Sequence, residues 1–178
     1  MLNDRDALAG IRCFDAPVYD LARQFRAADR VVVAAPFWDL TFPAALRTYI
    51  EYISANGLTY HYEADGCHGD CRAEKLAYLT SGGDLEQPES LGVLYWKQLC
   101  AMFGIPAFSY VFAGGLDLDP AKTEEILTEA CEKARSWRRT SEKEAAAVRG
   151  RLPAALALVL LLSACGGPPL HPGADHIQ

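Results

Sequence analysis

The chain has 178 residues, 51% of them apolar and 22% charged, the make-up of one folded domain with its own core and not of a disordered, collagen-like or coiled-coil protein. Seventeen basic against twenty-three acidic side chains leave a formal charge of -6, so the electrostatic term that dominates binding to DNA or RNA backbone is missing and no nucleic-acid partner is expected. Cys13, Cys67, Cys71, Cys100, Cys131 and Cys165 are scattered through a chain large enough to need no stapling, which predicts reduced thiols and a cytoplasmic location.

Residues 1–11 are mixed and charged, with no basic start and no apolar run, and do not read as a secretion signal. Asp15-Ala16-Pro17 then sets a capping carboxylate ahead of a first-turn proline, and Val18, Leu21, Phe25 and Ala28 follow at helical spacing, predicting a helix over 17–28. The β-branched run over 31–35 lacks polar alternation, the pattern of a parallel strand covered on both faces. After a loop over 36–41, Pro43 opens a helix with Leu46, Tyr49, Ile50 and Ile53 in one stripe, closed by Asn56-Gly57. A second strand is predicted over 75–80. A helix over 90–103 carries Leu94, Leu99, Met102 and Phe103 as its apolar positions and ends at Gly104. The third strand spans 107–113, and Asp119-Pro120 caps a long last helix with Ile126, Leu127, Ala130, Ala134 and Trp137 on one side.

The last segment is of another kind. Leu152 to Ala164 carry no charge and are followed by Cys165-Gly166-Gly167 and a Pro/Gly/His-rich end. Residues 148–167 resemble a bacterial lipoprotein signal peptide placed at the wrong end of a chain. As a helix the uncharged run rises only about 20 Å against a hydrocarbon core of roughly 30 Å, which argues against a membrane span. The expected division is therefore a domain over 1–147 and an appended segment over 148–178, dispensable to the body; a short amphiphilic terminal helix packed on its own core or on a partner is the alternative. Alternating helices and buried strands specify an α/β fold with a parallel sheet and right-handed crossovers; the sheet is expected to keep three strands and to leave 31–35 at an open edge.

In open α/β sheets ligands sit beyond the carboxyl ends of the strands. Two loops there stand out. One is Pro36-Phe37-Trp38-Asp39-Leu40-Thr41-Phe42-Pro43, with three aromatics and a carboxylate between prolines; the other is Thr80-Ser81-Gly82-Gly83, whose small residues let backbone N–H groups approach a ligand. A rigid aromatic loop facing a glycine loop suits a flat conjugated ring. Packing on the next helix is the equal alternative for Trp38 and Phe42.

The run from Ala28 to Leu40, Pro43, the Gly57-Leu58-Thr59-Tyr60-His61-Tyr62 segment, Thr80-Ser81-Gly82-Gly83 and Phe103-Gly104-Ile105 together resemble the flavodoxin-like NAD(P)H oxidoreductases, in the group of FMN-dependent azoreductases and quinone reductases. The resemblance covers about residues 15–135. It implies a flavodoxin-like three-layer sandwich around a parallel sheet and an enzyme that uses FMN and NAD(P)H to reduce a small-molecule quinone, azo or nitro acceptor. It also implies a homodimer. Pro36, Phe37, Trp38, Asp39 and Leu40 would fall on the loop that contacts the isoalloxazine ring, and Thr80, Ser81, Gly82 and Gly83 on the loop along its pyrimidine edge. Asp39 stands where many of the family have Asn, and an ionised carboxylate accepts hydrogen bonds but cannot donate one. The family begins with a strand, a phosphate-binding loop, a helix and a second strand, and this chain starts after them; on that comparison it is expected to be N-terminally incomplete, to lack the first strand-helix-strand unit and to bind FMN weakly or not at all. A non-catalytic, flavin-free flavodoxin-like remnant, folding or dimerising on its own, is the competing reading.

In such enzymes the flavin carries the chemistry, so no acid/base residue is required. None is expected here, because His61 and His68 have no partner triad in the sequence and no G-x-S-x-G elbow occurs. Cys67-His68-Gly69-Asp70-Cys71 has two thiols and an imidazole but no second pair nearby, so it is read as a surface turn with free thiols and no metal site is assigned. Arg135, Arg138, Arg139 and Lys143 are flanked by Glu132 and Glu142 and read as a solvated helix face.

Overall fold

The computed structural model describes residues 13–85, 90–148 and 157–161. The chain enters through a 3-10 turn over Pro17–Tyr19 whose preceding residue, Ala16, offers no side-chain cap. Helix α1, Asp20–Ala27, buries Ala22 and Phe25. Asp15 therefore does not cap it: the proline turn intervenes, and the carboxylate in the first helical turn is Asp20, paired one turn on with Arg23. Val18 and Leu21, expected on the apolar stripe, are exposed.

Strand β1, Arg30–Ala34, buries Val31 and Val33, while Val32 and Ala34 are half-buried. Its two faces are thus covered unequally, where the unbroken apolar run predicted equal cover. Helix α2, Ala44–Ile53, follows Pro43 and turns Leu46, Ile50 and Ile53 inward. Strands β2, Tyr60–Glu63, and β3, Gly66–Gly69, form an antiparallel hairpin with His61 opposite His68. Strand β4 is Lys75–Ser81, helix α3 is Leu91–Phe103 and strand β5 is Ala107–Ala113. A 3-10 turn over Pro120–Lys122, capped by Asp119 Oδ1 accepting from the Ala121 N–H at 3.1 Å, leads into helix α4, Thr123–Val148. Leu127, placed on its inward side by the sequence pattern, is exposed.

On α3 the buried residues are Gly92, Val93, Trp96, Leu99, Cys100 and Phe103, and Leu94 is exposed. The phase is set by Leu99 and Phe103: steps of three and four residues back from them reach Trp96 and Val93, and Leu94 falls outside the stripe. Gly104 ends the helix at φ 75°, its N–H shared between the Ala101 and Cys100 carbonyls, the left-handed cap expected of a glycine there.

The main sheet has the order β5-β4-β1-β6, where β6 is Ala157–Leu161, and every pair is parallel. Arg30 to Ala34 register with Ala157 to Leu161. The expected open edge beside β1 is therefore occupied by part of the apolar C-terminal run, which is a strand and not the short helix considered for it. The remainder of that segment, 149–156 and 162–178, lies outside the described residues. One core cluster joins Phe25, Leu46, Ile50, Ile53, Trp96, Leu99 and Phe103 from the helices to Val31, Val33, Leu76 and Tyr78 of the sheet. Among the described residues no helix is long and apolar enough to cross a membrane.

Candidate functional site

Strands β1 and β4 run side by side, so the loops that follow them leave the same end of the sheet. The Ala35 N–H donates to the Leu79 carbonyl at 3.0 Å and the Phe37 N–H to the Ser81 carbonyl at 2.8 Å, which zips the aromatic loop to the small-residue loop past the end of regular pairing. Beyond Phe37 the chain reverses in a two-residue turn: Trp38 bridges Thr41, the Thr41 N–H donates to the Trp38 carbonyl at 2.8 Å, and Asp39 and Leu40 have φ of 47° and 68°. Two consecutive positive φ values define the primed turn usually built from Asn-Gly. A left-handed leucine costs about 1–2 kcal/mol, and the structure around it must hold it there.

The two aromatic residues that sequence could not separate have different places. Phe42 is buried, 5.7 Å from the Tyr95 ring and 6.5 Å from the Trp96 ring, and belongs to the packing of α2 against α3. Trp38 is 46% exposed and lies at the base of the strained turn. Pro36 and Phe37 are half-buried, and Asp39 and Leu40 are exposed. The Phe37 ring meets the Phe112 ring edge-on at 5.7 Å, tying this loop to the end of β5.

In the second segment, which begins with the last two residues of β4, Thr80 and Gly82 are buried, and Ser81 and Gly83 are half-buried. The Gly82 N–H donates to the Ala113 carbonyl at 3.0 Å, while the Leu116 and Asp117 N–H groups donate to the Gly82 and Gly83 carbonyls at 3.3 and 3.1 Å. A Cβ on Gly82 would stand 3.0 Å from the Phe112 ring, and one on Gly83 would collide with the Asp117 side chain. A third loop, residues 114–118, thus clamps the glycine pair, a role that sequence reasoning did not assign. Its available signal was Gly114-Gly115 directly after a strand. Beneath the loops the Tyr78 and Thr80 hydroxyls are buried without a hydrogen-bond partner among the described residues, and burial pushes the Tyr78 hydroxyl up in pKa.

Residues 36–43, 80–85 and 113–118 contain Asp39, Asp84 and Asp117 and no basic side chain. Such a surface suits a neutral flat ring and not a phosphate, which calls for cationic or helix-terminal donors. The nine residues expected at the site lie at one end of the sheet, Thr80 and Ser81 as the last two residues of β4 and not on a loop, the other seven on the segments that follow β1 and β4, with Trp38, Asp39 and Leu40 open to solvent.

Fold and loop order define an open, parallel α/β protein, the class in which ligands are taken at the carboxyl ends of the strands. The chain belongs to the flavodoxin-like fold family, whose profile matches residues 6–137. It is 38% identical over 126 residues to FMN-dependent NADH:quinone oxidoreductase 2 of Clostridium acetobutylicum, covering 68% of this chain and 63% of that protein. It is 35% identical over 121 residues to an FMN-dependent NADH:quinone oxidoreductase of Clostridium beijerinckii, covering 67% and 61%. The crystal structure of an azoreductase from Bacillus anthracis strain Sterne superposes with a TM-score of 0.58 at 34% identity, over 66% of this chain and 59% of that one. The chain thus spans about three fifths of the length of these curated relatives.

Proposed function

We propose that the protein is an FMN-dependent NAD(P)H oxidoreductase that reduces small quinone, azo or nitro compounds. In this reading Pro36, Phe37, Trp38, Asp39 and Leu40 hold one side of the isoalloxazine ring and Thr80, Ser81, Gly82 and Gly83 its edge. The observation that carries the proposal is the joining of these loops by the Phe37 N–H to Ser81 carbonyl bond at 2.8 Å, at the end of adjacent parallel strands where open α/β sheets take ligands. The names of the two Clostridium relatives, which are FMN-dependent NADH:quinone oxidoreductases, supply the cofactor and the electron donor.

FMN, when bound, supplies a ring that takes hydride equivalents from a nicotinamide and gives them to the acceptor. The chain's own residues have a different task. The strained turn at Asp39–Leu40 fixes the position of Trp38, and the clamp of residues 114–118 on Gly82 and Gly83 keeps that edge of the site rigid. An aromatic face of this kind contributes about 0.5–1.5 kcal/mol to ring stacking. No side chain is assigned an acid/base role. A homodimer, a cytoplasmic location and the division of the chain at 148 are kept as parts of the same proposal.

The test is NADH or NADPH oxidation followed with added FMN and a soluble quinone or azo dye. Acceptor-dependent turnover that requires FMN and falls in Trp38→Ala is the expected result. Turnover equal to that of free FMN would overturn the assignment.

A further inference from the structure

Arg23 and Arg26 stand one turn apart on α1, and Arg72 comes from the segment ahead of β4. With Ala27, Leu58 and Asp70 they line a cleft of about 440 Å3, a size usual for small-molecule sites. Ala27 lies just ahead of β1 and Arg72 just ahead of β4, so the cleft is at the amino ends of the strands. The candidate flavin loops leave the carboxyl ends, and a strand of the length of β4 separates the two places by about 20 Å.

Arginine in the last turn of a helix ordinarily serves the helix's own carbonyls. These three do not. The Phe25 carbonyl accepts from the Ala28 N–H at 3.3 Å and the Arg26 carbonyl from the Arg72 N–H at 3.0 Å, so main chain closes the end of α1. The guanidiniums reach elsewhere. Arg23 donates to the Phe14 carbonyl and pairs with Asp20, Arg72 Nη2 pairs with Asp29 Oδ1 at 2.6 Å, and Arg26 Nε donates to the Asp70 carbonyl at 3.3 Å.

Arg26 has the least to hold. Only its Nε is engaged, and among the described residues neither of its Nη atoms meets a carboxylate, which leaves the outer donors of the fork for a ligand. Asp70 is the single acid among the described residues of the lining, and its Oδ2 is held by His61 Nδ1 at 2.7 Å. Asp20 and Asp29 lie outside the lining. Under the guanidiniums the floor is apolar, built from the buried Leu58 and the Ala27 methyl. A cationic rim over an apolar floor, on a chain of formal charge -6, matches an anionic head on a compact apolar body.

We propose that this cleft binds an organic phosphate, its phosphate held by Arg26 with Arg23 and Arg72 and its organic group seated on Leu58 and Ala27. Guanidinium forks match phosphate oxygens in pairs, and arginines from two separate segments meet a dianion from different sides. A phosphate presents more acceptor oxygens to them than a carboxylate does. The site leaves no mark along the chain, because Arg72 joins Arg23 and Arg26 only through its backbone bond to the end of α1.

The experiment is calorimetric titration of the full chain with phenyl phosphate, inorganic phosphate and phenol, at neutral pH and low salt with no flavin added. Saturable one-to-one binding of phenyl phosphate is expected, with weaker binding of inorganic phosphate and none of phenol. Arg26→Gln should weaken phenyl phosphate by roughly tenfold or more. Ala27→Leu, which fills the floor, should weaken phenyl phosphate and leave inorganic phosphate unchanged. Arg47→Gln, which removes the same charge from the exposed side of α2, should change neither. Arg26 and Ala27 are both exposed, so these substitutions spare the core. No saturable binding of phenyl phosphate by the parent chain, equal losses in Arg26→Gln and Arg47→Gln, inorganic phosphate bound as tightly as phenyl phosphate, or phenol bound as tightly as either would each overturn the proposal.

Discussion

Leu40 is the residue whose conformation costs most at the candidate site. At φ 68° and 61% exposure it has a left-handed backbone and little burial to offset it, unlike Leu46, which is fully buried in the core. Leu40→Gly removes about 1–2 kcal/mol of left-handed strain against about 0.4–1 kcal/mol lost to a more flexible unfolded chain. The variant is expected to be roughly 0.5–1 kcal/mol more stable in urea unfolding, whereas Leu46→Ala should lose about 2–5 kcal/mol. A destabilised Leu40→Gly protein would show that the leucine side chain holds the turn. None of this strain is legible in Trp38-Asp39-Leu40-Thr41, since leucine gives no signal for a left-handed position. What could be read was the composition of the loop, three aromatics and a carboxylate between prolines, because that follows from residue type alone.

At the scale of elements, signals confined to a few neighbouring residues were legible. The strand over 107–113 and the Gly104 cap depend on local patterns and occur where the residues place them, whereas Asp119 caps the 3-10 turn Pro120–Lys122 ahead of α4 and not the helix itself. The hairpin was not read, although Asp65-Gly66 is a turn pair and Tyr60 to Glu63 alternate, because Gly66 to Gly69 carry no strand pattern and the burial runs against the alternation, His61 being buried and Tyr62 exposed. Its docking rests on one glycine. A Cβ on Gly69 would run into the backbone of Phe103 and Gly104, which has no rotamer by which to yield, and the neighbouring Cys71 N–H donates to the Phe103 carbonyl at 3.3 Å. Gly69→Ala is therefore expected to cost at least about 2–3 kcal/mol by chemical denaturation, the upper part of the overpacking range. A loss below about 0.5 kcal/mol, the ordinary scatter of a surface change, would mean that the hairpin is not seated on α3.

For the whole molecule, the largest departure from the sequence reading is β6. Parallel pairing between residues more than 120 positions apart leaves no local mark, and an apolar run can be read as strand, helix or signal segment until its partner is known. Removing residues 149–178 would bare the β1 edge, so a lower thermal midpoint and concentration-dependent association are expected; an unchanged midpoint and unchanged oligomeric state would return the segment to the dispensable appendage that its composition suggests. Burial also shapes the pH response. It pushes the thiols of Cys71 and Cys100 up to about 12 from 9.0, with the Arg26 charge opposing at Cys71. A raised pKa means that the folded state keeps a proton that the unfolded state gives up, so this stabilisation is full below pH 9.0 and is lost as pH rises toward about 12. The thermal midpoint should therefore fall between about pH 8 and pH 10.5, and fall less in Cys100→Ala measured against its own value at the lower pH. The central claim is that the loops at 36–40 and 80–83 hold a flavin by its ring, and flavin fluorescence quenching tests it most directly. With FMN and with lumiflavin, which has the same ring and no phosphate, the account predicts saturable quenching of similar affinity for both and a two- to tenfold weakening, about 0.5–1.5 kcal/mol, in Trp38→Ala. Absence of saturable quenching, or binding that Trp38→Ala leaves untouched, would contradict it.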